Sequence, residues 1–150
     1  MVLVRTNVSE EVYARLVNDE EVEAITNFDK FGFQEPYQFL KELSGFDNFF
    51  GLSAESGRIE EISDLCSIST SRNVVKLLLD IPAEEIVATE YYQFTDLIYY
   101  TECEVDDEIA DRLREYMRDH KDSYNYDESD PEIIQVIYKS IKPEYILEVT

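Results

Sequence analysis

The sequence predicts an α+β domain, a small mixed sheet with helices packed on it. Three observations carry this. Val74 to Ile81 is almost continuously apolar, as a strand inside a sheet is. Val105, Ile109, Leu113, Tyr116 and Met117 recur at helical spacing. The elements come in the order strand, helices, strand, helix, strands, which is typical of α+β architecture. A hydrophobic content of 44% over 150 residues is globular composition. A chain of this size buries roughly 70% of its unfolded surface, enough for one core. Residues 1–150 are therefore read as one domain.

Val2 to Val4 read as a first strand ending at Arg5-Thr6. Ser9 can cap a helix whose first turn holds Glu10 and Glu11, where the helix dipole favours acid. Val12, Tyr13, Leu16 and Val17 fall on its apolar face. A second helix starts near Pro36 and stops at Gly45, burying Tyr37, Phe39, Leu40 and Leu43. Phe46, Phe49 and Phe50 anchor the segment after this helix to the core. Residues 51–73 are polar and irregular, with six serines and two glycines.

Val74 to Ile81 is the best strand, central and covered on both faces, and Pro82 ends it. Ile86 to Thr89 forms another short strand. Tyr91 to Tyr100 fits helix or strand, with helix preferred. The next helix has Asp106, Asp107 and Glu108 at its start and Arg118, His120 and Lys121 at its end, so both ends match the dipole. Residues 122–131 form a polar loop. Ile133 to Tyr138 and Tyr145 to Val149 are the last strands, separated by Pro143. No internal repeat is visible.

Charge restricts the partners. There are 34 Asp or Glu against 13 Lys or Arg, a net charge of −21. Phosphate contacts need clustered cations, so nucleic acid and anionic membranes are disfavoured as direct partners. No apolar run approaches the roughly 20 residues of a membrane helix. Two cysteines, Cys66 and Cys103, read as reduced thiols, and the expected location is the cytoplasm. The single histidine, His120, excludes metal sites built on His pairs and suits the end of a helix better than a catalytic relay. Gly-rich phosphate loops are absent. Asp106-Asp107-Glu108 and Asp127-Glu128-Ser129-Asp130 lack the alternating ligand spacing of a calcium loop, so no metal is expected.

The acids concentrate. Residues 102–132 hold thirteen acids against four bases. Asp107, Asp111 and Glu115 stand four apart on one helical face, and Tyr124 and Tyr126 lie in the acidic loop after the helix. Like charges at this spacing cost only a few tenths of a kcal/mol per pair, so the pattern suits a solvated face or a binding surface equally. As a binding surface it comprises Asp106, Asp107, Glu108, Asp111, Glu115, Tyr124, Tyr126, Asp127, Glu128 and Asp130. Carboxylates would meet Lys and Arg, and tyrosines would add cation–π contacts.

Some motifs carry a resemblance. Arg5-Thr6 comes after the first strand. Phe33-Gln-Glu-Pro-Tyr37 opens a helix. Ser67-Ile-Ser-Thr-Ser71 precedes the strand Val74 to Ile81, which runs into Pro82-Ala-Glu-Glu-Ile86, and Lys142-Pro-Glu-Tyr-Ile-Leu-Glu-Val149 closes the chain. This arrangement resembles the small bacterial and phage family called domain of unknown function 3841. More distantly it is similar to ADP-ribosyltransferase folds. The resemblance implies that Arg5 contacts NAD phosphate and that Ser69 or Ser71 supports the nicotinamide ribose. For the catalytic acid, Glu104 of Glu102-Cys-Glu104 has the motif spacing, whereas Glu132 and Gln135 lie on the late strand without the motif.

Two functional expectations result. The first is an acidic interaction protein without cofactor. It would block the basic surface of a nucleic-acid-binding partner, as phage-encoded inhibitors of the anti-CRISPR or DNA-mimic type do. The second is an NAD-dependent ADP-ribosyltransferase-like enzyme, or a nucleotide-sequestering protein using the same cleft.

Overall fold

The computed structural model describes residues 2–24, 34–53, 74–120 and 134–149. The fold class is the expected α+β. The strands are β1 (Val2–Ser9), β2 (Val22–Glu23), β3 (Phe49–Ser53), β4 (Val74–Ile81), β5 (Ile86–Glu90), β6 (Ile134–Tyr138), β7 (Ser140–Ile141) and β8 (Ile146–Val149). The helices are α1 (Glu10–Val17), α2 (Gln34–Ser44), α3 (Tyr91–Ile98) and α4 (Asp107–His120). Among the described residues, one six-stranded antiparallel sheet runs in the order β5-β6-β3-β1-β4-β8. The short strands β2 and β7 pair with each other apart from it.

β1 extends past Arg5-Thr6 to Ser9. The polar pair does not end the strand, because alternation continues through it. Val2, Val4, Thr6 and Val8 face one core while Leu3, Arg5 and Asn7 face the other side. Ser9 then caps α1, its Oγ accepting from the Val12 amide at 3.1 Å. Val17 is exposed rather than on the apolar face, one position of helical rotation beyond buried Leu16. A Schellman motif closes α1. Glu20 N–H donates to the Arg15 carbonyl and Asp19 N–H to that of Leu16, with Asp19 at φ +62°.

α2 buries Phe39, Leu40 and Leu43 as the periodicity demands, and Gly45 at φ +82° ends it, donating to the Lys41 carbonyl. β3 is a strand that the sequence pattern does not announce. It pairs with β1 through Arg5↔Leu52, and Gly51 makes this approach possible. A Cβ there would stand 2.6 Å from both the Arg5 carbonyl oxygen and Val4 Cγ1.

The expectation that β4 is covered on both faces holds only in part. Leu77, Leu78 and Leu79 are buried, but Lys76 and Asp80 on one side are only half-buried. The strand buried along its full length is β6. Tyr91 to Tyr100 is helical, as preferred. α3 continues into a π-helical turn, Tyr99–Cys103, where the Thr101 hydroxyl donates to the Leu97 carbonyl at 2.7 Å. α4 starts one residue after Asp106, whose side chain accepts from the Ile109 amide. Val105 therefore lies outside the helix and is 70% exposed, not on its apolar face. Tyr116 is also exposed. It stacks on His120, whose Nδ1 donates to the Tyr116 carbonyl at 2.9 Å.

Two cores lie on opposite faces of the sheet. The first gathers Val2, Val4, Val8, Leu16, Val22, Leu77, Leu79, Ile81, Ala88, Ile134, Val136, Tyr138, Ile141 and Tyr145. The second joins Phe39, Leu40, Leu43, Phe94, Leu97, Ala110 and Met117 of the helices to Ile137 of β6, with Phe50 and Val87 at its edge.

The sheet is strongly coiled. β4 and β5 lie four strand spacings apart, about 19 Å if flat. The register also sets Ile81, opposite Val2, and Ile86, level with Tyr138 and Phe49, toward opposite ends of the sheet. Yet only five residue steps join them, at most about 18 Å. The corner is pinned where the two 3₁₀ turns meet, Ala83–Glu85 before β5 and Pro143–Tyr145 before β8. There the Tyr145 hydroxyl donates to Glu85, and Lys142 Nζ lies 3.8 Å from the same carboxylate. Burial first, then the Glu85 carboxylate, pushes the Tyr145 hydroxyl well above the ordinary tyrosine range.

An internal symmetry appears that the sequence does not display. The strand order is unchanged when read backwards with β1 exchanged for β3, β4 for β6 and β5 for β8. The registers agree: Val4↔Leu79 matches Phe49↔Tyr138, Thr6↔Leu77 matches Gly51↔Val136, and Leu79↔Ile146 matches Tyr138↔Ile86. Each half thus gives its last strand to the edge of the other.

Candidate functional site

Two surfaces emerge from this frame. The first is the outer face of α4. Five carboxylates, Asp107, Glu108, Asp111, Glu115 and Asp119, are exposed there. Four of them, at positions 107, 111, 115 and 119, step along the helix at about 6 Å intervals. The basic residues of α4 mostly face elsewhere. Arg114, its side chain 15% exposed, bridges Asp111 and Glu35 of α2. Arg118 reaches Glu42 of α2 at 3.4 Å and lies over the Phe39 ring. Only Arg112 stays fully outward, paired with Glu108. Exposed pairs of this kind hold weakly. Among the described residues no basic side chain reaches Asp107, Glu115 or Asp119. Asp106 differs from its neighbours, being the half-buried helix cap.

Exposed tyrosines border the acids. Tyr92 and Asp96 are exposed on α3, and in the π-helical turn after it the exposed Tyr99 donates its hydroxyl to Glu104. That hydrogen bond is the first cause holding the Tyr99 hydroxyl above its ordinary range, and the Glu104 charge adds to it. The expected surface residues Tyr124, Tyr126, Asp127, Glu128 and Asp130 lie outside the described residues.

The second surface is a polar row across the sheet. Thr89, Gln135, Leu52, Arg5, Leu78 and Glu148 stand opposite one another on one face through all six strands. Thr89, Gln135 and Arg5 are all buried, and the Thr89 hydroxyl donates to Gln135 Oε1 at 3.5 Å. Arg5 Nη2 donates to Glu148 Oε2 at 3.4 Å, longer than the 2.7–2.9 Å usual for such ions. Of the residues expected to handle NAD, Arg5 and Gln135 therefore share a face and a row, two strands apart. Glu104 does not join them. It sits exposed after the π-helical turn, bonded to Tyr99. Ser69, Ser71 and Glu132 lie outside the described residues.

Sequence reasoning missed Asn7, Asp80 and Glu148 on this face. The available signal was a pair of charges, Lys76 and Asp80, at alternate positions inside an apolar strand. Among the described residues no group of three or more His, Cys, Asp or Glu converges to hold a metal ion. None of the described helices is long and apolar enough to cross a membrane. Cys103 is free and exposed. Comparison of the chain with family models, with curated proteins and with solved structures gives no match.

Proposed function

We propose that the chain is an acidic interaction protein that covers the basic, nucleic-acid-binding surface of a protein partner. The observation that carries this is the division of charge on α4. Its arginines at 114 and 118 are drawn toward α2, while a file of carboxylates faces solvent. Neutralising the helix would need those arginines outward. Arg114 is largely buried and Arg118, though about half exposed, is tied to Glu42, which leaves a surface whose charges repeat at intervals that a row of Lys or Arg can match. Such a field accelerates encounter and selects basic partners more than it sets final affinity. Tyr92, Tyr99 and Tyr116 supply apolar area and ring faces for guanidinium groups nearby.

The test is binding to a panel of basic nucleic-acid-binding proteins, with DNA as competitor. Binding that falls steeply with salt, and that DNA displaces, supports the reading. Salt-independent binding, or none across the panel, contradicts it.

A further inference from the structure

Val105 is the most exposed large apolar side chain among the described residues, 70% open to solvent. Solitary apolar residues on a surface are ordinary. Val105 is held differently, because both of its chain neighbours are tied. The π-helical turn Tyr99–Cys103 leads up to it. Glu104 N–H donates to the Tyr99 carbonyl at 2.8 Å, and Asp106 N–H to the Tyr100 carbonyl at 2.9 Å. Asp106 also caps α4, its side chain accepting from the Ile109 amide at 3.2 Å. The backbone on either side of Val105 is thus fixed, with the valine at the tip of the corner. Turns of the π type occur frequently at functional sites.

Tyr99 completes the corner. It is 45% exposed, its hydroxyl donates to Glu104, and its ring meets that of Tyr100 edge-on with centroids 5.0 Å apart. Tyr100 in turn packs against the second core. Two apolar side chains therefore stand ordered at the start of α4, and a partner that covers them removes little conformational freedom.

The surroundings select what can cover them. Glu102, Glu104, Asp107 and Glu108 are exposed within three residues of Val105. A second copy of the chain would bring the same carboxylates and a net charge of −21 against them. A wholly apolar surface would strip water from these acids without replacing it. A purely cationic surface would leave the valine and the ring without gain. The complement is an apolar pocket bordered by Lys or Arg. Asp107 lies two residues after Val105 and opens the carboxylate file of α4, so such a pocket is continuous with the surface that the file would meet.

We propose that the Tyr99–Val105 corner is the anchor of the interface with the basic partner, filling an apolar pocket edged by cations. This rests on the reading of α4 as a surface for a basic protein. The carboxylates steer encounter and set the salt dependence. The corner sets the lifetime of the complex, as buried apolar anchors do in protein interfaces.

The test uses the full chain and two short peptides of equal length and charge, one alternating Arg with Ser and the other alternating Arg with Leu. Association and dissociation rates are measured for each. The wild type is expected to bind the Leu peptide about tenfold more tightly than the Ser peptide, through slower dissociation. Val105→Ser is expected to remove that preference, and to leave binding of the Ser peptide and its salt dependence unchanged. Val17→Ser, at a valine 64% exposed on α1, is expected to keep the preference. Circular dichroism confirms the fold of both variants. Equal affinity of the wild type for the two peptides overturns the proposal and leaves the acidic-surface reading standing. So does a preference that survives in Val105→Ser, or one lost equally in Val17→Ser. Failure of both peptides to bind overturns the acidic-surface reading and the proposal with it.

Discussion

Replacing Gly51 by Ala tests the join between the two halves of the sheet. The new Cβ would lie 2.6 Å from the Arg5 carbonyl oxygen and 2.6 Å from Val4 Cγ1, and 3.2 Å from Thr6 Cβ. Ordinary contact needs about 3.4 Å or more, so β1 and β3 must separate by most of an ångström, and a backbone atom cannot rotate aside as a side chain can. Overpacking of this kind costs about 1–3 kcal/mol. Weakening the hydrogen bonds around Arg5↔Leu52 adds about 1 kcal/mol. The expected loss is therefore about 2–4 kcal/mol. For a chain of 150 residues that is a fall in Tm of roughly 4–15 °C. The assay is thermal and urea unfolding monitored by circular dichroism. Gly45→Ala serves as the control, because its site is open and only its positive φ is strained, at about 1 kcal/mol. A Gly51→Ala protein within about 0.5 kcal/mol of wild type would refute the close approach of β1 and β3.

The same geometry sets other outcomes. Asp19→Gly relieves a left-handed residue at the end of α1 and should stabilise by about 0.5–1 kcal/mol in urea unfolding. The raised Tyr145 hydroxyl sets an alkaline dependence. The folded state keeps this proton at pH values where the unfolded chain, near pH 10, has lost it. The folded state then binds more protons, so stability falls as pH rises from about 10 toward the folded-state value. Tyr145→Phe should cost about 1–2 kcal/mol near neutral pH through the lost bond to Glu85, and should flatten that alkaline fall in pH-dependent unfolding. Labelled NAD incubated with the chain and a cell extract tests the transferase alternative. An acidic interaction surface predicts no label transfer, whereas transfer lost on Arg5→Ala would favour the enzyme.

Helices are the legible part of this fold. Ser9, Gly45 and the dipole-matched ends of α4 are local signals, and caps act within a few residues of chain. The sheet is less legible because its logic is non-local. Phe49 to Ser53 offers two aromatics and a Gly, and only the β1 backbone pressed against Gly51 explains it as a central strand. β1 looks finished at Arg5 because a charge inside a strand reads as an end until the strand's second face is known to be polar. The internal symmetry is hidden for a related reason. Ile81-Pro-Ala-Glu-Glu-Ile86 and Ile141-Lys-Pro-Glu-Tyr-Ile146 share few residues, and what they share is a turn and a place in the sheet.

The candidate sites divide the same way. The acidic face is visible because helical spacing alone puts Asp107, Asp111 and Glu115 together, but the pairing of Arg114 with Glu35 and of Arg118 with Glu42 requires α2. Arg5 is marked by its position after a first strand. Its company of Asn7, Lys76, Asp80 and Glu148 comes from three strands far apart in the chain.

The central claim is that the α4 carboxylates form the binding surface. The direct measurement is the affinity and salt dependence of partner binding by the triple variant Asp107→Lys, Asp111→Lys, Glu115→Lys, with circular dichroism confirming the fold. Loss of affinity by at least about tenfold, together with a shallower salt slope, is the predicted result. Unchanged affinity and slope in a folded triple variant would contradict the claim.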